Sequence, residues 1–367
     1  MKSTKQGSYR LGRRALALGT GAAGLAAAAT RVAPARAAAE NTQLPVKGES
    51  PMPSGKIDTH QHFFPKAYVD AIGLDTLARQ MPNRKAPEWS PERAIAMMDA
   101  NGISEGIISV SSGPPIPDAP TLLRKCNEAA AELRQSHPGR FGSFASLPLP
   151  DIDASLKEVA HCLDHLKVDG FIIFTNYDGK YLGDEHFVPL LEEINRRKTV
   201  AFIHPNDPSY AIPNIAPASV LEFPFDTTRT ATSLIMSGAL GRFTDIRFIL
   251  AHAGGTLPYL VPRISLSISM MPGLAERVGD VRAAFASFYY DTALSAGVST
   301  ITALMQIARP DRVLFGTDFP MAPLPAITHF GHELETMSVS GFTQQDVYRG
   351  NAAKLLGRDG HERRTSA

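Results

Sequence analysis

Acidic residues are absent from the first 39 positions, and the whole 367-residue chain holds only two cysteines and one tryptophan. It also has little excess charge: 37 Lys and Arg stand against 36 Asp and Glu, a formal net of +1. No sequence-wide basic field exists to hold nucleic acid or an anionic membrane, which moves small-molecule chemistry forward. Cys126 and Cys162 both fall in helix-like stretches, RKCNEAA and AHCLDHL, which favours free thiols over a disulfide. No Gly-rich dinucleotide fingerprint follows the first apolar strand-like run, and the central region has no internal repeat or low-complexity tract. What is present is ordinary for a folded protein, 44% hydrophobic and 20% charged, with length enough for one large core.

The acid-free segment has its own order. Arg10, Arg13 and Arg14 precede a weakly apolar run from Ala15 to Ala29, and Ala37, Ala38 and Ala39 stand before Glu40. Charged, apolar and then small residues make the order of an export signal, and the run is too short and Gly-rich for a stable membrane anchor. Arg13-Arg14 resembles a twin-arginine signal, with Leu16 where that pattern prefers Phe. The reading is residues 1–39 as signal, 40–55 as linker, 56–357 as one catalytic domain and 358–367 as a polar tail. Export to the periplasm follows, with the cytoplasm as the alternative if the segment is no signal.

From residue 56 onward, apolar runs of strand length alternate with helix-like segments, the pattern of a parallel sheet. Eight runs can be counted: Ile57–Phe63, Gly106–Ser111, Phe141–Leu147, Val168–Thr175, Thr199–His204, Arg247–His252, Phe288–Thr292 and Arg312–Thr317. Most are continuously apolar, as strands buried on both faces are. Amphipathic stretches lie between them, including Pro91–Ala100, Leu122–Ser136, Ala154–Leu166, Phe187–Arg197 and Asp226–Leu240. Ser90 before Pro91, and Asp153, read as helix caps. Eight such units in about 300 residues predict an α/β fold of the (β/α)8 TIM-barrel type. The longest interruption, Ala71–Ser90, follows the first strand.

Polar residues sit in these runs at particular places. His60 and His62 end the first in KIDTHQHFFP, His204 ends the fifth, His252 the sixth and Asp318 the eighth in VLFGTDFP. In a barrel the C-terminal strand ends converge on one mouth, where active sites form. Two imidazoles two residues apart on a strand point the same way, and with a third imidazole and a carboxylate they make a divalent-metal set. Asp291, ending the seventh strand, is placed to orient a ligand histidine. Asp226 and Arg229, three apart, read as a helix-start carboxylate with its local ion pair. Phe63 and Trp89 are candidates to line an aromatic substrate pocket, although packing is the commoner role.

The HxH, the two later histidines and the aspartate resemble the amidohydrolase superfamily. FPFDTTRTATSLIMSGALGRF, AHAGGTLPYLVPR, FYYDTALSA and VLFGTDFP narrow the likeness to the aminocarboxymuconate semialdehyde decarboxylase branch. WSPERAIAMMDANGI, FASLPLPD and NYDGKYLGDEHFVPLLEEINRRK are most similar to the 6-methylsalicylate decarboxylase type. That resemblance implies a metal-dependent carboxy-lyase acting on an ortho-hydroxylated aromatic acid, with metal ligands His60, His62, His204 and Asp318. It further implies His252 and Asp318 as catalytic residues. By the same likeness, Arg263 reaches across a homodimer interface to a neighbour's substrate. Two-metal relatives carry a bridging lysine at the end of the fourth strand, but Ile173-Phe174-Thr175-Asn176 stands there, so one metal is expected. Three nitrogens and one oxygen suit Zn2+ best, with Mn2+ as the alternative. The competing activity is a metal-dependent hydrolase of an amide, ester or lactone using the same residues.

Overall fold

A computed structural model describes residues 55–81, 84–110, 116–210 and 215–359. The expected signal (1–39), the expected linker apart from Gly55, and the last eight residues lie outside the described residues. Eight strands run β1 Lys56–His62, β2 Ile103–Ser109, β3 Phe141–Ser146, β4 Gly170–Phe174, β5 Val200–His204, β6 Arg247–Leu250, β7 Tyr289–Asp291 and β8 Val313–Leu314. They pair in parallel and in sequence order. A parallel bridge between Gln61 and Phe319, with Asp318 N donating to His60 O at 2.8 Å and Thr59 N to Phe315 O at 2.9 Å, brings the last strand back to the first. The result is the eight-stranded parallel barrel of a TIM fold.

The barrel wall sorts its apolar residues into two layers. Ile57, Ile107, Phe144, Ile172, Val200, Phe202, Ile249 and Leu314 fill the interior, where Leu355 and Leu356 of the helix Asn351–Leu356 join them. Alternate residues such as Ala145, Ile173, Ala201 and Ile203 face the surrounding helices. That two-sided burial is why the strands read as continuous apolar runs. Arg358, one residue beyond the expected domain end, is tied in by Glu105 at 2.7 Å and Asp169 at 2.9 Å.

Caps and turns fix the helices that follow the strands. Ser90 accepts from Arg93 N at 3.2 Å with Pro91 in the first turn of Pro91–Ala100. The helix Ile152–His161 is capped by Asp151, which accepts from Ala154 N at 2.9 Å, so the cap lies two residues before the expected Asp153. Cys126 and Cys162 are free and buried. The stretch after β1 forms two short helices, Lys66–Ile72 and Leu74–Gln80, which bury Tyr68 and Leu77. No described helix is long and apolar enough to cross a membrane.

Candidate metal centre

The C-terminal strand ends bring His60, His62, His204 and Asp318 together, with one ligand atom from each within 4.8 Å of the others, all four residues buried. His60 Nε2 stands 3.2 Å from His62 Nε2. Asp318 Oδ1 lies 3.3 Å from the first and 3.0 Å from the second. Tetrahedral ligands with bonds of about 2.0–2.1 Å stand roughly 3.4 Å apart, so these edges match a metal-sized gap.

Hydrogen bonds at the far ring nitrogens settle which nitrogen faces inward. His60 Nδ1 meets Asp291 Oδ2 at 2.9 Å and His204 Nδ1 meets the Pro205 carbonyl at 2.9 Å. Carboxylate and carbonyl oxygens only accept, so both Nδ1 atoms carry the proton. Ser109 Oγ donates to Gln61 O at 3.2 Å and so accepts from His62 Nδ1 at 3.3 Å. All three Nε2 lone pairs therefore converge beside a carboxylate, a set that fits a divalent cation. Asp318 Oδ1 has no hydrogen-bond donor, which the same reading explains.

The electrostatics agree. Burial opposes charge on His60, yet Asp291 and Asp318 overcome it and push the imidazole up to about 10. Burial lowers His62, and His204 lies well below the ordinary range from burial and its neighbouring imidazoles. For Asp318 burial acts upward, but His60 and His62 hold the carboxyl well below the usual range. The cluster demands positive charge at its centre, and one divalent cation supplies it better than a shared proton.

His252 lies beyond the end of β6, in a turn at φ 55°, with Ala253 at φ 56°. Its Nδ1 donates to the Ala293 carbonyl at 2.9 Å, leaving Nε2 unspent, and its ring centre is 4.9 Å from that of His60. Asp318 is also left-handed, at φ 63°. Backbone held in this region by two site residues is the kind of strain that functional positions carry. Gly255 allows the turn: a Cβ there would stand 2.0 Å from the Pro224 carbonyl, at the start of the helix Glu222–Met236.

Two buried carboxylates brace the ligands. Asp291 holds His60 and accepts from His252 N at 2.9 Å and Ala293 N at 3.0 Å. Asp58, which the sequence reading passed over, accepts from Thr317 N at 3.0 Å, Thr317 Oγ1 at 2.5 Å, Gln61 Nε2 at 2.8 Å and His60 N at 3.0 Å. It ties β1 to the chain just before Asp318. An acid buried inside the strand KIDTHQH was the available signal.

Other candidates fall elsewhere. Asp226 is not at a helix start: its helix begins at Glu222, and the carboxylate is fully buried. It accepts from Thr175 Oγ1, from Asn176 Nδ2 at 2.7 Å and from Tyr181 Oη at 2.7 Å, with Arg229 3.7 Å away. These partners come from the residue after β4 and from the antiparallel hairpin Asn176–Tyr177/Lys180–Tyr181 that follows, so no local pattern announced them. Phe63 is buried and packs edge-on against half-buried Trp89 at 5.7 Å, and Trp89 Nε1 has no partner. Arg263 is exposed on the helix Leu257–Ser269.

Comparisons with known proteins add to this geometry. The amidohydrolase family model matches residues 57–358. The chain is 38% identical over 314 residues to a 6-methylsalicylic acid decarboxylase of Penicillium expansum, covering 83% of this chain and 96% of the relative. It is 37% identical over 321 residues to 6-methylsalicylic acid decarboxylase acuB of Aspergillus aculeatus, again covering 83% and 96%. The crystal structure of an amidohydrolase II superposes with a TM-score of 0.74 at 30% identity, covering 82% of this chain and 99% of that one.

Proposed function

The chain belongs to the amidohydrolase family, and on that premise we propose that it is a metal-dependent, non-oxidative decarboxylase of an ortho-hydroxylated aromatic acid such as 6-methylsalicylate. The observation that carries this reading is the convergence of three imidazole Nε2 atoms and Asp318 on one point, in a chain so similar to 6-methylsalicylic acid decarboxylases. His60, His62, His204 and Asp318 hold the cation. Zn2+ suits this donor set best and Mn2+ is the alternative. Such a cation supplies Lewis acidity toward the substrate carboxylate and the adjacent phenolic oxygen.

The protein's own residues move the proton. The low pKa of Asp318 leaves it ionised at neutral pH. It takes the phenolic proton and returns it to the ring carbon that bears the carboxylate. The ring–carboxylate bond then breaks, CO2 departs, and its electron pair restores the aromatic ring as a phenolate. His252, its ring fixed by the Nδ1 bond to Ala293, faces the carboxylate with Nε2 and orients it by donating an Nε2–H as the imidazolium.

Purified protein loaded with Zn2+ or Mn2+ should release CO2 from 6-methylsalicylate or 2,6-dihydroxybenzoate with loss of salicylate absorbance. Lactone opening with both acids inert would replace this reading with the hydrolase. Pairing of two chains is part of the proposal: Tyr259 (84% exposed) and Leu266 (60%) share a helix with Arg263, and Met270 (72%) follows at its C-terminal end. A monomeric mass in solution, with Arg263→Ala leaving KM unchanged, would remove the pairing. Export through the twin-arginine route is proposed from the residue order of positions 1–39. Continued periplasmic delivery of Arg13→Lys/Arg14→Lys would remove it.

A further inference from the structure

In an eight-stranded barrel, alternate strands contribute the side chains of one interior layer. Phe144 on β3 and Phe202 on β5 share such a layer, with ring centres 5.5 Å apart, and His60 packs on Phe202 at 4.8 Å. One inward step toward the mouth is two residues along each strand. On β5 that step reaches the ligand His204, and on β3 it reaches Ser146. Ala145 and Leu147 face the outer layer, so Ser146 faces inward. Within this layer, the ligands His62 of β1 and His204 have their Nδ1 atoms already bonded, to Ser109 Oγ at 3.3 Å and to the Pro205 carbonyl at 2.9 Å. Ser146 alone is unspent: it is 2% exposed and its Oγ has no hydrogen-bond partner. Buried hydroxyls are normally paired, so this one points to a group that arrives with the ligand.

The strand end is held from behind by a buried polar cluster. Asn127 clamps the Ser146 backbone on both sides, accepting from its N at 2.9 Å and donating to its O at 3.0 Å. Glu158 accepts from Asn127 Nδ2 at 2.8 Å and is paired with Arg124 at 2.6 Å. Both Asn127 and Glu158 are 3% exposed. A buried carboxylate and amide thus fix a strand terminus whose inward feature is the Ser146 hydroxyl.

We infer that Ser146 Oγ donates a hydrogen bond to the ortho oxygen of the bound aromatic acid and so selects acids that carry one. β3 stands opposite β7 in the ring of eight strands, and His252 is attached to the β7 side through Asp291. The assignment sets the carboxylate on the His252 side and the neighbouring phenolic oxygen toward β3. The assignment rests on the decarboxylase reading above.

The test pairs a residue truncation with a ligand truncation. Dissociation constants of salicylate and benzoate are measured on metal-loaded wild type, Ser146→Ala and Ser146→Thr, together with metal content and Tm. Ser146→Ala should weaken salicylate about 10-fold or more, the worth of a hydrogen bond to a charged oxygen, and leave benzoate within about twofold. Its Tm should not fall, because the hydroxyl has no partner to lose, and Ser146→Thr should keep most of the salicylate preference. Equal weakening of both acids, or a Ser146→Ala affinity for salicylate within about twofold of wild type, overturns the assignment alone. Wild type that neither binds nor decarboxylates these acids overturns the aromatic-acid reading and this assignment with it.

Discussion

Replacing Asp291 by Asn removes almost no volume and should nonetheless loosen the metal. Asp291 is fully buried and spends its two oxygens separately. Oδ1 accepts from the backbone of His252 and Ala293, and Oδ2 accepts from His60 Nδ1 at 2.9 Å. An Asn side chain keeps one oxygen for the two backbone donors but turns an N–H toward the His60 ring. His60 must then release its Nδ1 proton, and its neutral ring carries the proton on Nε2, the atom that faces His62 and Asp318. A hydrogen bond between a carboxylate and a neutral partner contributes about 1.5–3 kcal/mol, which corresponds to roughly a 10- to 150-fold loss of metal affinity. Competition with a chelator, followed by metal analysis of the dialysed protein, reads this directly. The Asn variant should keep its Tm far better than Asp291→Ala, which orphans both buried backbone donors. An Asn variant that holds Zn2+ within about threefold of wild type would refute the tautomer argument.

Other perturbations reach different parts of the fold. Gly255→Ala places a Cβ 2.0 Å from the Pro224 carbonyl at φ 64°; it should cost about 3 kcal/mol or more of unfolding free energy in a urea titration, and an unchanged midpoint would contradict it. Burial pushes the Cys126 thiol up to about 12 and raises Cys162 as well. At pH 8 only about one Cys126 in ten thousand is thiolate, so a thiol reagent should find neither cysteine in native protein and both after denaturation. Arg358→Met leaves Glu105 and Asp169 without their shared cation at the end of the barrel away from the metal. Stability should fall by about 2–4 kcal/mol while metal affinity stays unchanged, which denaturant titration and chelator competition separate.

How far the sequence could be read depended on whether a residue's partners were local. The eight strands were legible because both faces of each are buried, and the ligand histidines because strand ends share one mouth. Strand limits were less so. The run Arg312–Thr317 is paired in the sheet only over Val313–Leu314. Beyond it Gly316 packs against His60 and Asp318 turns left-handed to reach the centre. In β2 the polar Ser104 and Glu105 hid a strand beginning at Ile103, because Glu105 is matched by Arg358 from the far end of the domain. Asp226 looked like a helix-start acid because its partners Thr175, Asn176 and Tyr181 lie about 50 positions earlier.

Ser146 is the sharper case. In FASLP nothing separates it from a serine at any strand end, and its significance appears only when Phe144 and Phe202 fix the layer that it shares with His204. Periodicity assigns a side chain to a face of its own strand, whereas a barrel layer joins strands 58 residues apart in sequence, as Ser146 and His204 are. Ligand residues announce themselves by type, since imidazole and carboxylate are costly to bury without purpose. A hydroxyl is cheap enough to bury for many reasons, so its role is read from its neighbours across the barrel and from the bonds it does not make.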